Sequence, residues 1–257
     1  MSEKETLSVL ERRWEATCKL AFGAPVGPML SFRDYLFAEV VKPSFRNSCM
    51  SGGEVAVLPE IGKGAKVAGY DELLKAGTAK APQASINDIK DIDSLSRAAS
   101  EIAVFAGNII QGQCGHVEKS NRVLDSHFIY SCHNVIYSKY AAFSRRVKYS
   151  DSVFGIDSTS KIKFALRSYD IYESSVLFEC LRVYTSSNCY YCANMDNATD
   201  CLFSFNQRSA RRRIGNLELP LDKFTELKAK LVGEMRESLS SKKKALSVLE
   251  IIGGANE

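Results

Sequence analysis

The sequence predicts an α+β protein, in which a mainly helical N-terminal region is followed by a parallel β-solenoid and a C-terminal capping helix. Two series with a period of six predict the solenoid. Every sixth residue from Cys114 to Ser204 is Ser, Cys or Ala at fourteen of sixteen positions, and every sixth residue from Val117 to Cys201 is apolar at fourteen of fifteen. A third observation predicts the flanking helices: apolar residues there recur at spacings of three and four.

A period of six fits neither an α-helix, which needs 3.6 residues, nor a lone strand, which needs two. It is typical of a chain wound into coils whose inward side chains stack in ladders about 4.8 Å apart. With three faces of six residues, each coil would take about 18 residues, and the segment would hold about five coils. Ile156 and Ile162 interrupt the small series and indicate a local change in the corner packing.

Local signals place the remaining elements. Helices are predicted over 5–22, from Ser31 to Val41, over 91–105, and around Phe224, Leu227, Leu231 and Met235, with a short strand at Val55 and Val57. Residues 76–87 have the composition of a linker. We expect four parts: an N-terminal helical and mixed domain with a linker (1–90), a connecting helix (91–113), the solenoid (114–206), and a basic capping segment with a C-terminal helix (207–257).

The composition limits the class of protein. The hydrophobic fraction of 45% and the charged fraction of 25% are ordinary for a globular chain and argue against global disorder. No run of about 18 apolar residues is present, so we expect no membrane contact. The first residues carry no signal of secretion, so we expect a protein that is cytoplasmic, or that resides inside a host cell, and whose eight cysteines are reduced.

A basic tail is the most specific functional signal. Between Gln207 and Lys244 eleven Lys and Arg oppose five acidic residues, although the whole chain carries only +4. Arginines this close together can hold phosphates in bidentate fashion. We therefore predict a polyanion-binding site formed by Arg208, Arg211, Arg212, Arg213, Lys242, Lys243 and Lys244. The alternative is a capping role, because a solenoid must cover its last coil.

Two other constellations are weighed against structural roles. Cys189 and Cys192 form a CxxC pair near Cys201, which suits a zinc or redox site, yet all three fall in slots of the repeat and are expected to be buried thiols. His127 and His133 are six residues apart, on adjacent faces, and His116 would have to complete a metal site. The sequence therefore predicts neither a cofactor nor a metal.

Aromatic side chains occupy many outward positions of the repeat. More apolar surface faces outward than a solvated face needs, so we expect contact with the N-terminal domain or with a neighbouring subunit. The residues concerned are Tyr130, Tyr137, Phe143, Tyr149, Phe154, Tyr172, Phe178, Tyr184, Tyr190 and Tyr191.

The repeat resembles the hexapeptide β-helices. The acyltransferases of that group place an aliphatic residue first and a small residue fifth, a spacing of four and two, whereas here the spacing is three and three. The resemblance implies acyl transfer at a cleft between solenoids, with His127 or His133 as the general base. The segment 206–231 is also similar to the tails of uncharacterised archaeal and candidate-phylum bacterial proteins, which carry no function over.

Three functions follow as hypotheses. The leading one is a non-enzymatic structural or interaction protein that works as a homo-oligomer through its solenoid. The second is a nucleic-acid-binding or ribosome-associated factor that uses the basic tail. The third is a hexapeptide-type acyltransferase.

Overall fold

The computed structural model describes residues 3–77 and 83–253, and it describes their side chains apart from those of 88, 159–177 and 180–184. Elements are numbered along the chain. The helices of the described residues are α1 (Glu3–Phe22), α2 (Arg33–Leu36), α3 (Tyr70–Ala76), α4 (Ile92–Ile102), α5 (Leu221–Lys242) and α6 (Val248–Gly253). Single 3₁₀ turns lie at Met29–Phe32 and Ile86–Asp88.

Four short strands precede the solenoid and form a small N-terminal subdomain. An antiparallel pair joins β1 (Ser44–Asn47) to β2 (Glu54–Val57), and a parallel pair joins β3 (Lys66–Gly69) to β4 (Val104–Gly107). Val55, Val57 and Val67 form its apolar core. The strand predicted at Val55 and Val57 is confirmed.

The solenoid consists of two parallel sheets that face each other. We call the first the open sheet; it contains β5 (Ile110–Gln111), β7 (Asn121–Leu124), β9 (His133–Ile136), β11 (Arg145–Lys148), β15 (Ala193–Asp196) and β17 (Phe205–Arg208). We call the second the covered sheet; it contains β6 (Gly115–Glu118), β8 (His127–Tyr130), β10 (Lys139–Ala142), β12 (Asp151–Phe154), β14 (Ser187–Tyr190), β16 (Thr199–Leu202) and β18 (Arg211–Ile214). The long strand β13 (Asp157–Tyr184) contributes to both sheets.

The register shows that one coil takes twelve residues. Ala141 pairs with Ile129 on one side and with Val153 on the other, and Val135 pairs with Val123 and Val147. The predicted β-solenoid is confirmed, with about seven coils, but the expected coil of about 18 residues was wrong. A period of six sets the length of one face and leaves open how many faces close a coil.

Among the described side chains, the apolar series points inward and the small series lies at the bends, as predicted. The apolar series fills the centre of the coils; Ile129, Val135, Ala141, Val147 and Val153 are all fully buried. The small series lies where the chain turns from one sheet to the other. Serine suits these positions because its hydroxyl group can form two hydrogen bonds there. Ser138 Oγ accepts the N–H of Ser150 in the next coil and donates to the carbonyl of Ile136. Ile156 is also buried in this series, whereas the side chain of Ile162 lies outside the described ones.

Through most of the coils every third residue adopts the left-handed conformation. Phe128, Ser131, Asn134, Tyr137 and Tyr140 have φ between 45° and 60°, and the same spacing recurs up to Arg212. Left-handed backbone costs about 1–2 kcal/mol for most residues. The regular stacking of coils must therefore offset a strain that is repeated throughout the solenoid.

In the described coils before β13, the layer of helices packs on the covered sheet. Helix α1 lies along β6, β8, β10 and β12. Trp14 contacts Phe154 edge-on at 5.4 Å, and Phe22 contacts Phe178 at 4.9 Å. Gly155 is left-handed and lies so close to Leu36 that a Cβ there would come within 2.9 Å of the Leu36 carbonyl oxygen. Each large apolar side chain buried in this layer contributes about 1.5–3 kcal/mol, so the layer holds α1 and α2 on the sheet.

The two ends of the solenoid are capped differently. At the N-terminal end, the Asn108 amide bonds to the backbone of Glu54 and Ala56, which joins the subdomain to the first coil. At the C-terminal end, β19 (Leu217–Glu218) turns back antiparallel to β18, and helix α5 follows. The coils therefore continue to Ile214, beyond the boundary expected at 206, and the capping helix is confirmed.

Two further predictions on local structure need correction. The helix expected from Ser31 to Val41 is a 3₁₀ turn followed by one α-helical turn that ends at Leu36. The helix expected to reach Phe105 ends at Ile102, because Val104 begins a strand that pairs with β3. Within the expected linker, residues 78–82 lie outside the described residues.

Candidate interaction surface

The outward aromatic residues divide into two groups in the structure. Six of them belong to the covered sheet and its turns and are buried under helices: Tyr130, Phe143, Phe154, Phe178, Tyr190 and Tyr191. Tyr137 and Tyr149 belong to the open sheet and are 50% and 59% exposed. The side chains of Tyr172 and Tyr184 lie outside the described ones. The expected contact with the N-terminal region is therefore confirmed for the first group and does not account for the second.

Tyr137 and Tyr149 form the centre of an apolar area, which we call the tyrosine patch and define as Leu124, Ile136, Tyr137 and Tyr149. The two rings stack at 5.4 Å with an interplanar angle of 13°. Leu124 and Ile136 are paired neighbours on β7 and β9 and are half-buried. Contiguous apolar surface on a sheet face marks an interaction site more often than single exposed side chains do.

The patch contrasts with the far end of the same sheet. There the equivalent positions are polar: Asp196 and Asn197 in one coil, Arg208 and Ser209 in the next. In that column the Asn197 amide donates to the Ser209 hydroxyl at 3.3 Å, a polar contact that suits a face in contact with water. The apolar side chains at the N-terminal end are therefore a local feature and no requirement of the solenoid.

Positive charge borders the patch. Arg145 pairs with Glu60 of the N-terminal subdomain at 2.9 Å, and Arg146 pairs with Asp157 at 2.7 Å. In the described part of the chain, Arg122 and Lys148 make no ion pair. The surface therefore combines exposed aromatic rings with two free cations.

The structure does not gather the four predicted arginines into one cluster. Arg208 lies on β17 of the open sheet, is 88% exposed, and approaches Asp196 at 3.9 Å. Arg211, Arg212 and Arg213 lie on β18 of the opposite sheet. The start of the expected capping segment is instead formed by the last two strands of the solenoid.

Arg213 has a capping role. It occupies the inward apolar slot above Cys201, with which it is paired in the sheet. Its guanidinium donates to the carbonyl of Asn216 and to Glu218, at 3.1 Å each. Gln207 occupies the inward slot of the other sheet in the last coil and bonds to the Phe205 carbonyl. Polar side chains therefore close the interior where the stacking stops.

The three predicted lysines lie at the C-terminal end of α5. This helix has 22 residues and is about 33 Å long. The Lys243 ammonium donates to the carbonyls of Ser240 and Val26, and it lies over the Phe32 ring. Lys242 and Lys244 line a cleft of about 470 Å³ together with acidic Asp34, Glu39 and Glu250. One of the lysines is thus structural, and the cleft carries both signs of charge.

Four cysteines of the repeat occupy buried slots, as predicted. Cys132, Cys189, Cys192 and Cys201 are fully buried, and Cys189 pairs with Cys201 in adjacent coils. Burial raises the pKa of Cys132 to about 12, and the neighbouring thiol together with burial raises the pKa of Cys201 further. The thiols of Cys132 and Cys201 are therefore protonated at neutral pH, and a thiol is a poor nucleophile or metal ligand in that form.

The histidines are separated. His116 and His127 lie on the covered sheet and His133 on the open one, because a six-residue step crosses the coil. Burial, with Arg145 and Arg122 nearby, lowers the pKa of His133 to about 4, far from the value near 7 that suits a general base. Over 3–77 and 83–253, no group of three His, Cys, Asp or Glu side chains is arranged to hold a metal ion.

Sequence reasoning missed Glu179, a buried carboxylate on β13. It is 1% exposed, accepts a 2.7 Å bond from the Tyr35 hydroxyl, and accepts a 2.9 Å bond from the N–H of Val248 at the start of α6. It therefore joins the solenoid to α2 and α6. No sequence signal pointed to it, because its partners are 144 and 69 residues away.

The comparisons with known proteins add no family. The chain matches no protein-family model, no curated protein and no solved structure. Among the helices of the described residues, none has both the length and the apolar character needed to cross a membrane.

Proposed function

We propose that the protein is a non-enzymatic scaffold that assembles with further copies of itself through the open sheet of its β-solenoid. The observation that carries the proposal is the tyrosine patch. Helices cover the aromatic residues of one sheet, whereas Tyr137 and Tyr149 remain about half exposed on the other. A rigid solenoid holds such side chains at fixed spacing, which favours a specific interface.

The alternatives have less support. Polyanion binding by the arginines and lysines would need one continuous basic surface, and these residues lie on two opposite sheets and at the far end of α5. Acyl transfer would need a histidine base in an accessible cleft, and of the two candidates, His127 and His133, the latter is buried and neutral at physiological pH.

The experiment is a measurement of mass in solution by light scattering over a range of concentrations. The wild-type protein is expected at a multiple of its monomer mass of 28.4 kDa. The double variant Tyr137→Ser/Tyr149→Ser is expected to move to the monomer mass, because it removes the stacked rings without reaching the core.

Asn197→Ser is the matched control. Asn197 occupies the same column of the open sheet four and five coils further on, and it is exposed. It should leave the oligomer intact. A wild-type protein that stays monomeric at the highest concentration would refute the proposal.

A further inference from the structure

A second uncovered apolar surface lies on helix α4. None of its eleven residues is buried; Ile92 is 79% exposed and Leu95 37%. Ile86 and Ile89, at the same spacing of three before the helix, are 80% and 55% exposed. An isolated helix of this length is only marginally stable in water, so its apolar side favours a partner.

The charges decide which partner fits. Helix α4 with its N-cap carries three carboxylates, Asp91, Asp93 and Glu101, against Arg97, a net charge of −2. The outward positions of β7, β9 and β11 carry Arg122, Arg145, Arg146 and Lys148 against Asp125, a net charge of +3, which falls to +1 when Glu60 and Asp157 are counted. Surfaces of like charge repel each other at close range, and surfaces of opposite charge attract each other. Two α4 helices or two tyrosine patches are therefore poor partners for each other, whereas α4 and the patch complement each other.

We infer that α4 of one copy docks on the tyrosine patch of a second copy. The inference rests on the proposed assembly through the open sheet and names the surface that meets it. The dimensions agree: eleven helical residues span about 16 Å, and three strands of four residues cover roughly 10 Å by 13 Å. The covered sheet already receives a helix in this way, because α1 lies across its outward aromatic residues.

The first test uses variants of the helix. Ile92→Ser/Leu95→Ser is expected to raise the dissociation constant of the oligomer at least tenfold, and Arg97→Lys, which lies on the opposite side of α4 and keeps the charge, is expected to leave it unchanged. Because no side chain of α4 is buried, far-ultraviolet circular dichroism spectra of both variants should match that of the wild type. Raising the salt concentration should weaken the wild-type oligomer, because the two surfaces attract through exposed charges.

The second test mixes two variants that are each monomeric. The helix variant keeps an intact patch, and Tyr137→Ser/Tyr149→Ser keeps an intact helix. An equimolar mixture should therefore form a one-to-one heterodimer, which light scattering resolves from the 28.4 kDa monomer. No other pairing of the two surfaces gives this result.

The outcomes separate the inference from the proposed function. If the helix variant assembles like the wild type while the tyrosine variant does not, the inference is wrong and the scaffold proposal stands. If the mixture stays monomeric, the inference is also wrong. If the wild-type protein is a monomer, both are wrong.

Discussion

The serine ladder inside the solenoid allows a quantitative test of why the small slot is Ser. In Ser138→Ala, the lost hydroxyl would have accepted the N–H of Ser150 at 3.2 Å and donated to the Ile136 carbonyl at 2.8 Å. That carbonyl keeps a second bond from the N–H of Tyr149. The Ser150 N–H is then the one group that loses its acceptor, and with Ser138 2% and Ser150 5% exposed, water does not replace it.

The expected loss of stability is about 1–3 kcal/mol, the cost of one buried unsatisfied donor. The free energy of unfolding can be measured by urea denaturation, followed by the fluorescence of Trp14, which packs on the covered sheet. Trp14 is the one tryptophan of the chain, so the signal is unambiguous.

The reverse substitution is the control. Ala198 occupies the same slot, and its N–H donates to Ser186 Oγ at 2.9 Å, but its methyl group offers no acceptor to the following coil. Ala198→Ser should therefore stabilise the protein, by up to about 1 kcal/mol. If Ser138→Ala lowers the free energy of unfolding by less than about 0.5 kcal/mol, or if Ala198→Ser is destabilised, the slot requires a small side chain and does not require a hydrogen-bond acceptor.

Three further predictions concern single sites. The pKa of His133 is about 4 in the folded protein against about 6.5 in the unfolded chain. Between these two values the unfolded chain binds a proton that the folded protein does not, so the free energy of unfolding should fall as the pH drops from about 6.5 to about 4. His133→Asn should flatten that part of a profile of stability against pH. Arg213→Ala should lower the melting temperature by a few degrees because it opens the last coil, whereas Arg208→Ala should leave it unchanged. Iodoacetamide should label exposed Cys49 within minutes and buried Cys189 only after unfolding, as peptide mass spectrometry would show.

The interior of the solenoid could be predicted from the sequence because each inward slot admits one kind of side chain. The number of faces could not be read from those slots, since the small and apolar series repeat identically on every face. The outward residues held that information. Every twelfth residue from Tyr130 to Ile214 is apolar, a series that exists because one sheet of two lies under helices.

The candidate site was predictable only in part. The outward aromatic residues were visible as a group, but which of them remain exposed depends on where α1 and α2 pack. The predicted position of the arginines was wrong because the last coil departs from the pattern of the repeat. Arg213 and Gln207 fill slots that are apolar in earlier coils. Glu179 depends on contacts across the whole chain, which no local signal reports.

The twelve-residue coil has a consequence for how such a chain can change length. Deleting six residues would leave the interior ladders in phase, and the core would close as before. Every outward residue downstream would nevertheless move to the side opposite α1, so that Tyr190 would lose its bond to the Ala21 carbonyl in α1. Within the solenoid, insertions and deletions should therefore be tolerated only as whole coils, and the solenoids of homologous chains should differ in length by multiples of twelve.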